Sequence, residues 1–378
     1  MTRVQHPRKK EKTSSETTSS WQSSLKSAFR DSAELAEFLE LPPEPSALAT
    51  GEDCLPPEPS ALAVGGAGTE FEICRKSKPV ASAIGSGNSL AFPLFVTREF
   101  AGRMRKADWN DPLLKQVWID PKEEIATPGF VSDPVGDSKV EQAPGLLHKY
   151  HGRVLLVTTG ACAIHCRYCF RRHYPYSSAP KSIDEWEPAF VAIEKDSSIE
   201  EVILSGGDPL SIVDTVLSQL LERLERIPHL KRLRIHTRIP VVIPSRITSS
   251  LLEMLADSRL SKWIVLHINH ANEIDDEVFE AVKRLRKSGA VLLNQSVLLR
   301  DVNDDIESLV KLSERLLEAS VLPYYLHQLD PVQSAAHFEV PITDGKQLIV
   351  AMAKRLPGFA VPKYVYEKSG EPNKTLIY

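Results

Sequence analysis

The sequence has no long hydrophobic run, and its N-terminus has no apolar core of the kind a signal peptide needs. A bilayer-spanning helix takes about 20 apolar residues, so the sequence indicates neither a membrane span nor secretion. The sequence also lacks a large excess of either charge, because 46 Lys and Arg nearly balance 50 Asp and Glu and the net charge is only -4. Without a concentrated basic face, neither nucleic acid nor a membrane is an expected partner. We expect a cytoplasmic protein.

Cysteine is scarce as well, and three of the five cysteines lie in one Cys-x-x-x-Cys-x-x-Cys run, Cys162, Cys166 and Cys169. This clustering does not suit a disulfide framework, and Cys54 and Cys74 are predicted to be unpaired thiols. A tetrahedral zinc ion and an iron–sulfur cubane both take four ligands. Three clustered thiolates therefore either recruit a distant ligand or leave one position open for a substrate or cofactor.

The open position favours an enzyme. The alternative is a structural zinc site completed by His165 or His173, in a metal-stabilised binding protein without turnover. Structural zinc sites usually show two separated pairs of ligands, so one compact triplet favours the open site.

The chain is expected to have three parts. Residues 1–70 are predicted to be a disordered, Pro-rich segment, because the polar sequence near the start has no hydrophobic periodicity. The nonapeptide Leu-Pro-Pro-Glu-Pro-Ser-Ala-Leu-Ala occurs at 41–49 and 55–63, and two copies are too few for a repeat fold. Residues 71–139 are predicted to be a helical extension, and 140–378 the main domain.

In the main domain, short β-branched runs alternate with longer segments of helical period, which is typical of βα units. The pattern fits an α/β fold, either a partial (β/α)6 barrel or an open doubly wound sheet. In both, the site lies at the carboxyl ends of the strands. The predicted strands are 154–158, 201–204, 232–236, 263–268, 291–299 and 323–329. The predicted helices are 184–195, 215–226, 249–256, 275–287, 305–319 and 344–354.

The cysteine run, with Tyr168 before its last cysteine, resembles the radical S-adenosylmethionine (radical SAM) enzymes. The resemblance implies a partial (β/α)6 barrel of that type, preceded by an N-terminal helical extension. It also implies a [4Fe-4S] cluster held by Cys162, Cys166 and Cys169, with S-adenosyl-L-methionine (SAM) at the fourth iron. The residues that match SAM-contacting positions are Ser205, Gly206, Gly207, Asp208, His267 and Gln295.

Further motifs at 144–150, 169–173, 294–300, 323–325 and 370–375 resemble the lysine 2,3-aminomutase family. They are most similar to its short bacterial branch, which makes (R)-β-lysine for the modification of elongation factor P. The resemblance implies an isomerase that converts L-lysine to β-lysine, a reductant such as flavodoxin or ferredoxin, and a link to elongation factor P and its lysyl-modifying ligase. The alternative enzyme is an aminomutase for another amino acid, such as glutamate.

The same resemblance implies a second cofactor, pyridoxal 5′-phosphate (PLP), which the family binds covalently through a C-terminal lysine. Lys374 occupies the matching position. Lysine suits this role because its pKa falls readily on burial, which gives a nucleophilic amine. Lys149, Tyr150 and Arg153 match the residues around PLP, and Lys149 stands where enzymes for free lysine have arginine.

Substrate binding is implied for three residues. Arg171 matches the arginine that pairs with the substrate α-carboxylate, for which the planar guanidinium is well shaped. Asp330 matches one of two carboxylates that hold the ε-ammonium group, and the second position falls on Glu367, one methylene longer than the family's aspartate. Asp330 disfavours an acidic substrate, because two carboxylates would repel each other in a closed pocket.

Overall fold

The computed structural model describes residues 21–44 and 92–378. They belong almost entirely to one compact unit, Met1–Leu41 with Pro93–Tyr378. Cys54, Cys74 and most of the duplicated nonapeptide lie outside the described residues. Within the described ranges, no helix combines the length and the apolar character that crossing a membrane requires.

A single sheet of ten strands in the described residues forms the centre of the unit, and each strand pairs with the next one along the chain. The strands are β1 Glu141–Ala143, β2 Leu146–Tyr150, β3 Arg153–Thr159, β4 Glu201–Gly206, β5 Arg232–Thr237, β6 Ser261–Leu266, β7 Val291–Val297, β8 Leu322–His327, β9 Lys363–Tyr366 and β10 Thr375–Leu376. Strands β3 to β9 are parallel to one another. The pairs β1–β2, β2–β3 and β9–β10 are antiparallel. The six predicted strands correspond to β3–β8, and β9 adds a seventh parallel strand.

The strand order distinguishes the two predicted architectures. A doubly wound sheet reverses its order at a switch point, whereas this order never reverses. Strands β1 and β10 remain the two edges, so the sheet does not close. Its two ends nevertheless approach each other, because Lys149 on β2 donates a 2.9 Å hydrogen bond to Glu367, just after β9. The fold is therefore a partial α/β barrel, as the resemblance implied.

Helices cover the outside of the barrel. In chain order they are α1 Trp21–Lys26, α2 Ser32–Phe38, α3 Arg98–Ala101, α4 Pro112–Lys115, α5 Ile183–Lys195, α6 Asp214–Glu225, α7 Ile239–Val242, α8 Ser249–Asp257, α9 Asp276–Lys287, α10 Ile306–Glu318 and α11 Ile342–Ala353. The six predicted helices correspond to α5, α6, α8, α9, α10 and α11. Side chains of Ser182, Asp275 and Asp305 cap three of them by accepting hydrogen bonds from backbone N–H groups. Helices α5, α6, α9 and α10 each bury an apolar stripe, such as Leu217, Leu220, Leu221 and Leu224 on α6.

The N-terminal segment differs from the expectation of disorder over 1–70, because its described part contains α1 and α2. Phe29 and Leu35 are fully buried, and Phe29 N–H donates a 2.8 Å hydrogen bond to the Val96 carbonyl. The Asp31 side chain caps α2. A few large apolar residues spaced through polar sequence are enough here, because their partners are supplied by the chain beyond residue 92. Helices α3 and α4 lie in the part of the predicted 71–139 extension that the structure describes.

Candidate active site

A cavity of about 520 Å³ lies at the carboxyl ends of the parallel strands. Both ends of the sheet contribute to it, from Tyr150 on β2 to Leu376 on β10. Every site residue proposed from the sequence lines this one cavity, although the residues come from segments more than 200 positions apart. They are Lys149, Tyr150, Arg153, Cys162, Cys166, Cys169, Arg171, Ser205, Gly206, Gly207, Asp208, His267, Gln295, Asp330, Glu367 and Lys374.

The three cysteines lie on the loop that follows β3, and they are free thiols. Burial raises the pKa of Cys162 above its usual range and that of Cys169 to about 11. Metal binding must therefore displace protons from thiols. In the described residues, no three His, Cys, Asp or Glu side chains converge as ligands of a single ion. Three thiols on one loop are a ligand set of the kind that holds an iron–sulfur cluster.

The glycine-rich turn after β4 presses against the loop that leads to the cysteines. Gly207 N–H donates a 2.7 Å hydrogen bond to the Thr159 carbonyl, and Asp208 N–H donates a 2.8 Å bond to the Ala161 carbonyl. Gly206 has a φ of +113°, a conformation that favours glycine. A methyl group on Gly207 would overlap the Ala161 carbonyl. These glycines therefore fix the start of the cysteine loop, whereas their expected contact with SAM stays a prediction.

The Gly207→Ala variant is expected to lose about 1–3 kcal/mol of unfolding free energy, because the added methyl meets rigid backbone. It should also retain less iron after reconstitution. The matched control is Gly358→Ala, where an added methyl meets no heavy atom within 4 Å. Urea unfolding and iron analysis check both variants, and a Gly207→Ala protein as stable and iron-loaded as the control would contradict this role.

Both carboxylate oxygens of Asp208 accept hydrogen bonds from other groups of the protein. One carboxylate oxygen accepts hydrogen bonds from the Thr237 hydroxyl at 2.7 Å and Leu210 N–H at 3.0 Å. The other accepts from the backbone N–H groups of Arg238 at 2.7 Å and Ile239 at 3.1 Å. Burial raises the pKa of Asp208 to about 6, although these hydrogen bonds oppose the rise. The carboxylate thus ties the end of β4 to the end of β5.

Four polar atoms face the cavity without a hydrogen-bond partner among the described residues. They are Nε2 of His236, His267 and His327, and Oε1 of Gln295. Burial lowers the pKa of His267 to about 4 and those of His236 and His327 well below the usual value. These imidazoles are neutral at pH 7. Leaving a buried polar group unpaired costs about 1–3 kcal/mol, so this set indicates that the cavity takes a polar ligand such as SAM.

Five residues of alternating charge, the charge chain, run along one wall: Arg171, Asp137, Lys149, Glu367 and Lys374. Arg171 Nε donates to Asp137 at 2.7 Å, and Lys149 Nζ lies 2.6 Å from Asp137 and 2.9 Å from Glu367. Glu367 also accepts a hydrogen bond from Lys374. Burial alone would raise the pKa of Glu367, but Lys374 and Lys149 hold it well below its usual range. The charge chain therefore links the cysteine loop to the C-terminal segment.

Asp330 lies apart from these ion pairs. Its carboxylate lines the cavity and forms no hydrogen bond or ion pair with any described residue. Burial raises the pKa of Asp330 to about 7, and the charges of Lys374 and Lys149 offset the rise only in part. A carboxylate that lacks a local partner is suited to a cationic group on a ligand.

The residues matched to PLP form one neighbourhood. The Arg153 guanidinium lies 4.8 Å from the centre of the Tyr150 ring. Burial and the Glu367 charge raise the pKa of Tyr150, so its hydroxyl remains a hydrogen-bond donor. Lys149, Arg153 and this hydroxyl are donors for a phosphate, and Lys374 adds a primary amine, so the donor set fits PLP.

Residues at the site that were not among those predicted include His236 and His327, described above, and also Asp137 and Arg238. Asp137 pairs with Arg171 and Lys149, yet it begins a 3-10 helix of only three residues, Asp137–Lys139, which is too short to give a periodic signal. Arg238 follows β5, and its Nη1 donates a 2.7 Å hydrogen bond to Cys166 Sγ. Its position at the carboxyl end of a predicted strand was the available signal, whereas its partner could not be read from the sequence.

The barrel, the cysteine loop and the polar cavity define a radical SAM protein, and the model of the Radical SAM superfamily matches residues 156–313. Proteins of this class use a [4Fe-4S] cluster and SAM. The chain is 49% identical over 284 residues to L-lysine 2,3-aminomutase of Escherichia coli (strain K12), covering 75% of this chain and 83% of that one. It is 46% identical over 285 residues to L-lysine 2,3-aminomutase of Haemophilus influenzae, covering 75% and 84%. The chain belongs to the L-lysine 2,3-aminomutase family, a family of isomerases.

Among solved structures, the chain is similar to a radical SAM methyltransferase from Sphaerobacter thermophilus. The two share 16% sequence identity over 58% of this chain and 68% of that one, with a TM-score of 0.41.

Proposed function

We propose that this protein converts L-lysine to β-lysine by moving the α-amino group to the neighbouring carbon. One observation carries the proposal: a single cavity holds three free thiols, the amine of Lys374 and the unpaired carboxylate of Asp330. The thiols and the amine suit two cofactors, and the carboxylate suits a cationic substrate. The family relationship supports the same activity.

For the first cofactor pair, Cys162, Cys166 and Cys169 would hold the [4Fe-4S] cluster. A cluster and SAM bound there would supply radical chemistry that can activate a C–H bond of the substrate. His267 and Gln295 offer SAM an unpaired imidazole nitrogen and an unpaired amide oxygen.

For the second cofactor, Lys374 would hold PLP, which supplies a conjugated ring that stabilises an unpaired electron during nitrogen migration. Lys149, Tyr150 and Arg153 would bind its phosphate. Glu367 accepts a hydrogen bond from Lys374 and stays ionised, because its pKa is held well below the usual range, so its role is to orient the amine by charge and hydrogen bonding.

For lysine itself, Arg171 and Asp330 have complementary roles. Arg171 is 8% exposed, and its Nε and Nη1 donate to Asp137 and Ser205. Its Nη2 makes no hydrogen bond to a described residue and is available to the substrate α-carboxylate. Asp330 would take the ε-ammonium group. Because the two groups carry opposite charges, they would select a substrate of matching length and bind it in one orientation.

The Asp330→Asn variant is expected to lower kcat/KM for lysine by roughly 30- to 5000-fold. This corresponds to the about 2–5 kcal/mol that the loss of one partner of a buried charge pair costs. The matched control is Asp344→Asn, which removes an exposed carboxylate on α11. Steady-state kinetics check both variants, and unchanged kcat/KM in Asp330→Asn would remove this residue from substrate binding.

The charge pair between Asp330 and the ε-ammonium group of lysine should also make kcat/KM depend on pH. Because the pKa of Asp330 in the free protein is about 7, its carboxylate gains charge as the pH rises through neutrality. The ε-ammonium of lysine stays charged over that range. We therefore expect kcat/KM for lysine to rise between pH 6 and 8 (about one unit on each side of that pKa) and the rise to flatten in Asp330→Asn.

The test of the function is product analysis after anaerobic reconstitution with iron, sulfide, SAM, PLP and a reductant. Chiral chromatography should find β-lysine from L-lysine, in the R form that the short bacterial branch makes, and no product from L-glutamate. β-Glutamate as the main product would favour the other aminomutase. A fully loaded protein that makes neither would exclude both.

The finer proposal concerns partners. The sequence motifs resemble the branch that supplies (R)-β-lysine for elongation factor P, so we propose this product as the substrate of a lysyl-modifying ligase. A flavodoxin or ferredoxin would donate the electron. Incubation of the protein's product with elongation factor P and its ligase should raise the mass of the factor by one lysyl residue.

A further inference from the structure

A buried arginine lies beside one of the cysteines that would hold the cluster. Arg238, which directly follows β5, is 5% exposed. Its Nη1 donates a 2.7 Å hydrogen bond to Cys166 Sγ and lies 2.8 Å from the Tyr168 hydroxyl. A positive charge thus reaches the cluster site from the barrel side.

Two hydrogen bonds from the second terminal nitrogen, Nη2, fix the orientation of this guanidinium. Arg238 Nη2 donates to Gln116 Oε1 at 2.6 Å and to Glu273 Oε2 at 2.9 Å. Glu273 is fully buried, and its other oxygen accepts a 2.9 Å hydrogen bond from Asn269 N–H. The carboxylate can therefore neither leave nor rotate freely, and it holds Nη1 towards the sulfur.

Burying a charge is costly, so a guanidinium needs compensation wherever it is placed. Glu273 supplies one negative charge, and Cys166 supplies a second when it is a thiolate ligand. Reduction of a [4Fe-4S] cluster adds one electron and one negative charge. Hydrogen bonds to ligand sulfurs and nearby positive charge both favour the more negative, reduced state.

We propose that Arg238 is a positioning residue that raises the reduction potential of the cluster through its hydrogen bond to Cys166, and that Glu273 limits this effect. The proposal rests on the assignment of the three cysteines as cluster ligands, which is part of the proposed function. It adds a pair of residues that sets how readily the cluster accepts the electron it passes to SAM.

The test measures the cluster directly, without lysine. Full-length wild-type protein, Arg238→Gln and Glu273→Gln are reconstituted anaerobically, and iron and sulfide per chain are determined. Each sample is then titrated with dithionite, and the reduced cluster is quantified by electron paramagnetic resonance. Arg103→Gln is the matched control, because the Arg103 side chain is also only 5% exposed but pairs with Asp275 outside the cavity lining.

We expect the midpoint potential of Arg238→Gln to shift downwards, that of Glu273→Gln to shift upwards, and that of Arg103→Gln to stay at the wild-type value. Arg238→Lys, which keeps the charge, should lie between wild type and Arg238→Gln. Opposite shifts from two neighbours are not expected from general loosening of the site.

An unchanged potential in Arg238→Gln with full iron content would overturn the proposal. If Arg238→Gln loses its iron, the midpoint potential of Glu273→Gln becomes the test. Only an upward shift of that potential agrees with the proposed role. A wild-type protein that cannot hold a cluster would instead refute the cluster assignment, so the two failures are distinguishable.

Discussion

Replacing Cys162 by alanine is expected to abolish β-lysine formation and to remove most of the iron from the reconstituted protein. The two remaining thiols would leave a further iron of the cubane without its cysteine ligand. Cys162 is a cleaner choice than Cys166, whose sulfur also accepts the hydrogen bond from Arg238. Iron analysis, visible absorbance and product assay report the outcome.

The control for this substitution is Cys74→Ala, which removes a cysteine remote from the cluster motif in the sequence. It should keep wild-type iron content and turnover. A Cys162→Ala protein that still isomerised lysine would show that the chemistry does not depend on a cluster at this loop.

The Lys374→Met variant is expected to lose both retained PLP and lysine turnover, down to background. Methionine keeps much of the side-chain length but has no amine to bind the cofactor covalently. The substitution also leaves Glu367 paired with Lys149 alone, so the protein should still fold and load its cluster. PLP content after gel filtration, iron content and product assay separate these effects.

Lys368→Met is the matched control for Lys374, because it lies on the same C-terminal segment with a side chain that is 62% exposed. It should retain PLP and wild-type turnover. If Lys374→Met kept its PLP and its activity, the covalent role would belong to another amine in the cavity, and Lys149 would be the next candidate.

The fold could be predicted well where the sequence pattern was strong. Each predicted strand and helix from β3 to α11 has a counterpart, because β-branched runs and helical periods are long there. Strands β1, β2, β9 and β10 were missed, since they span only two to five residues, too few to show a clear hydrophobic period. Helices α1 and α2 were not predicted, because the sequence around them is rich in serine. The buried side chains of Trp21 and Phe29 nevertheless pack this segment against the rest of the unit.

The sequence could name candidate residues for the site but not their hydrogen-bond and ion-pair partners. The side chains that the resemblance named all line one cavity, and their roles stay predictions, whereas the partners of each followed only from the three-dimensional structure. Glu367 was expected near substrate, yet it contacts Lys149 and Lys374. Asp330 was expected to share its role with Glu367, yet it is the unpaired carboxylate of the two. Such pairings join distant segments, and no local pattern encodes them.

The most direct measurement follows the nitrogen itself. L-Lysine carrying ¹⁵N on its α-amino group is incubated with the anaerobically reconstituted protein, and the product is examined by ¹⁵N and ¹³C nuclear magnetic resonance. We predict β-lysine with ¹⁵N bonded to Cβ and no labelled ammonia. Label that remained at Cα, or that left as ammonia, in a protein fully loaded with cluster and PLP would contradict a 2,3-aminomutase.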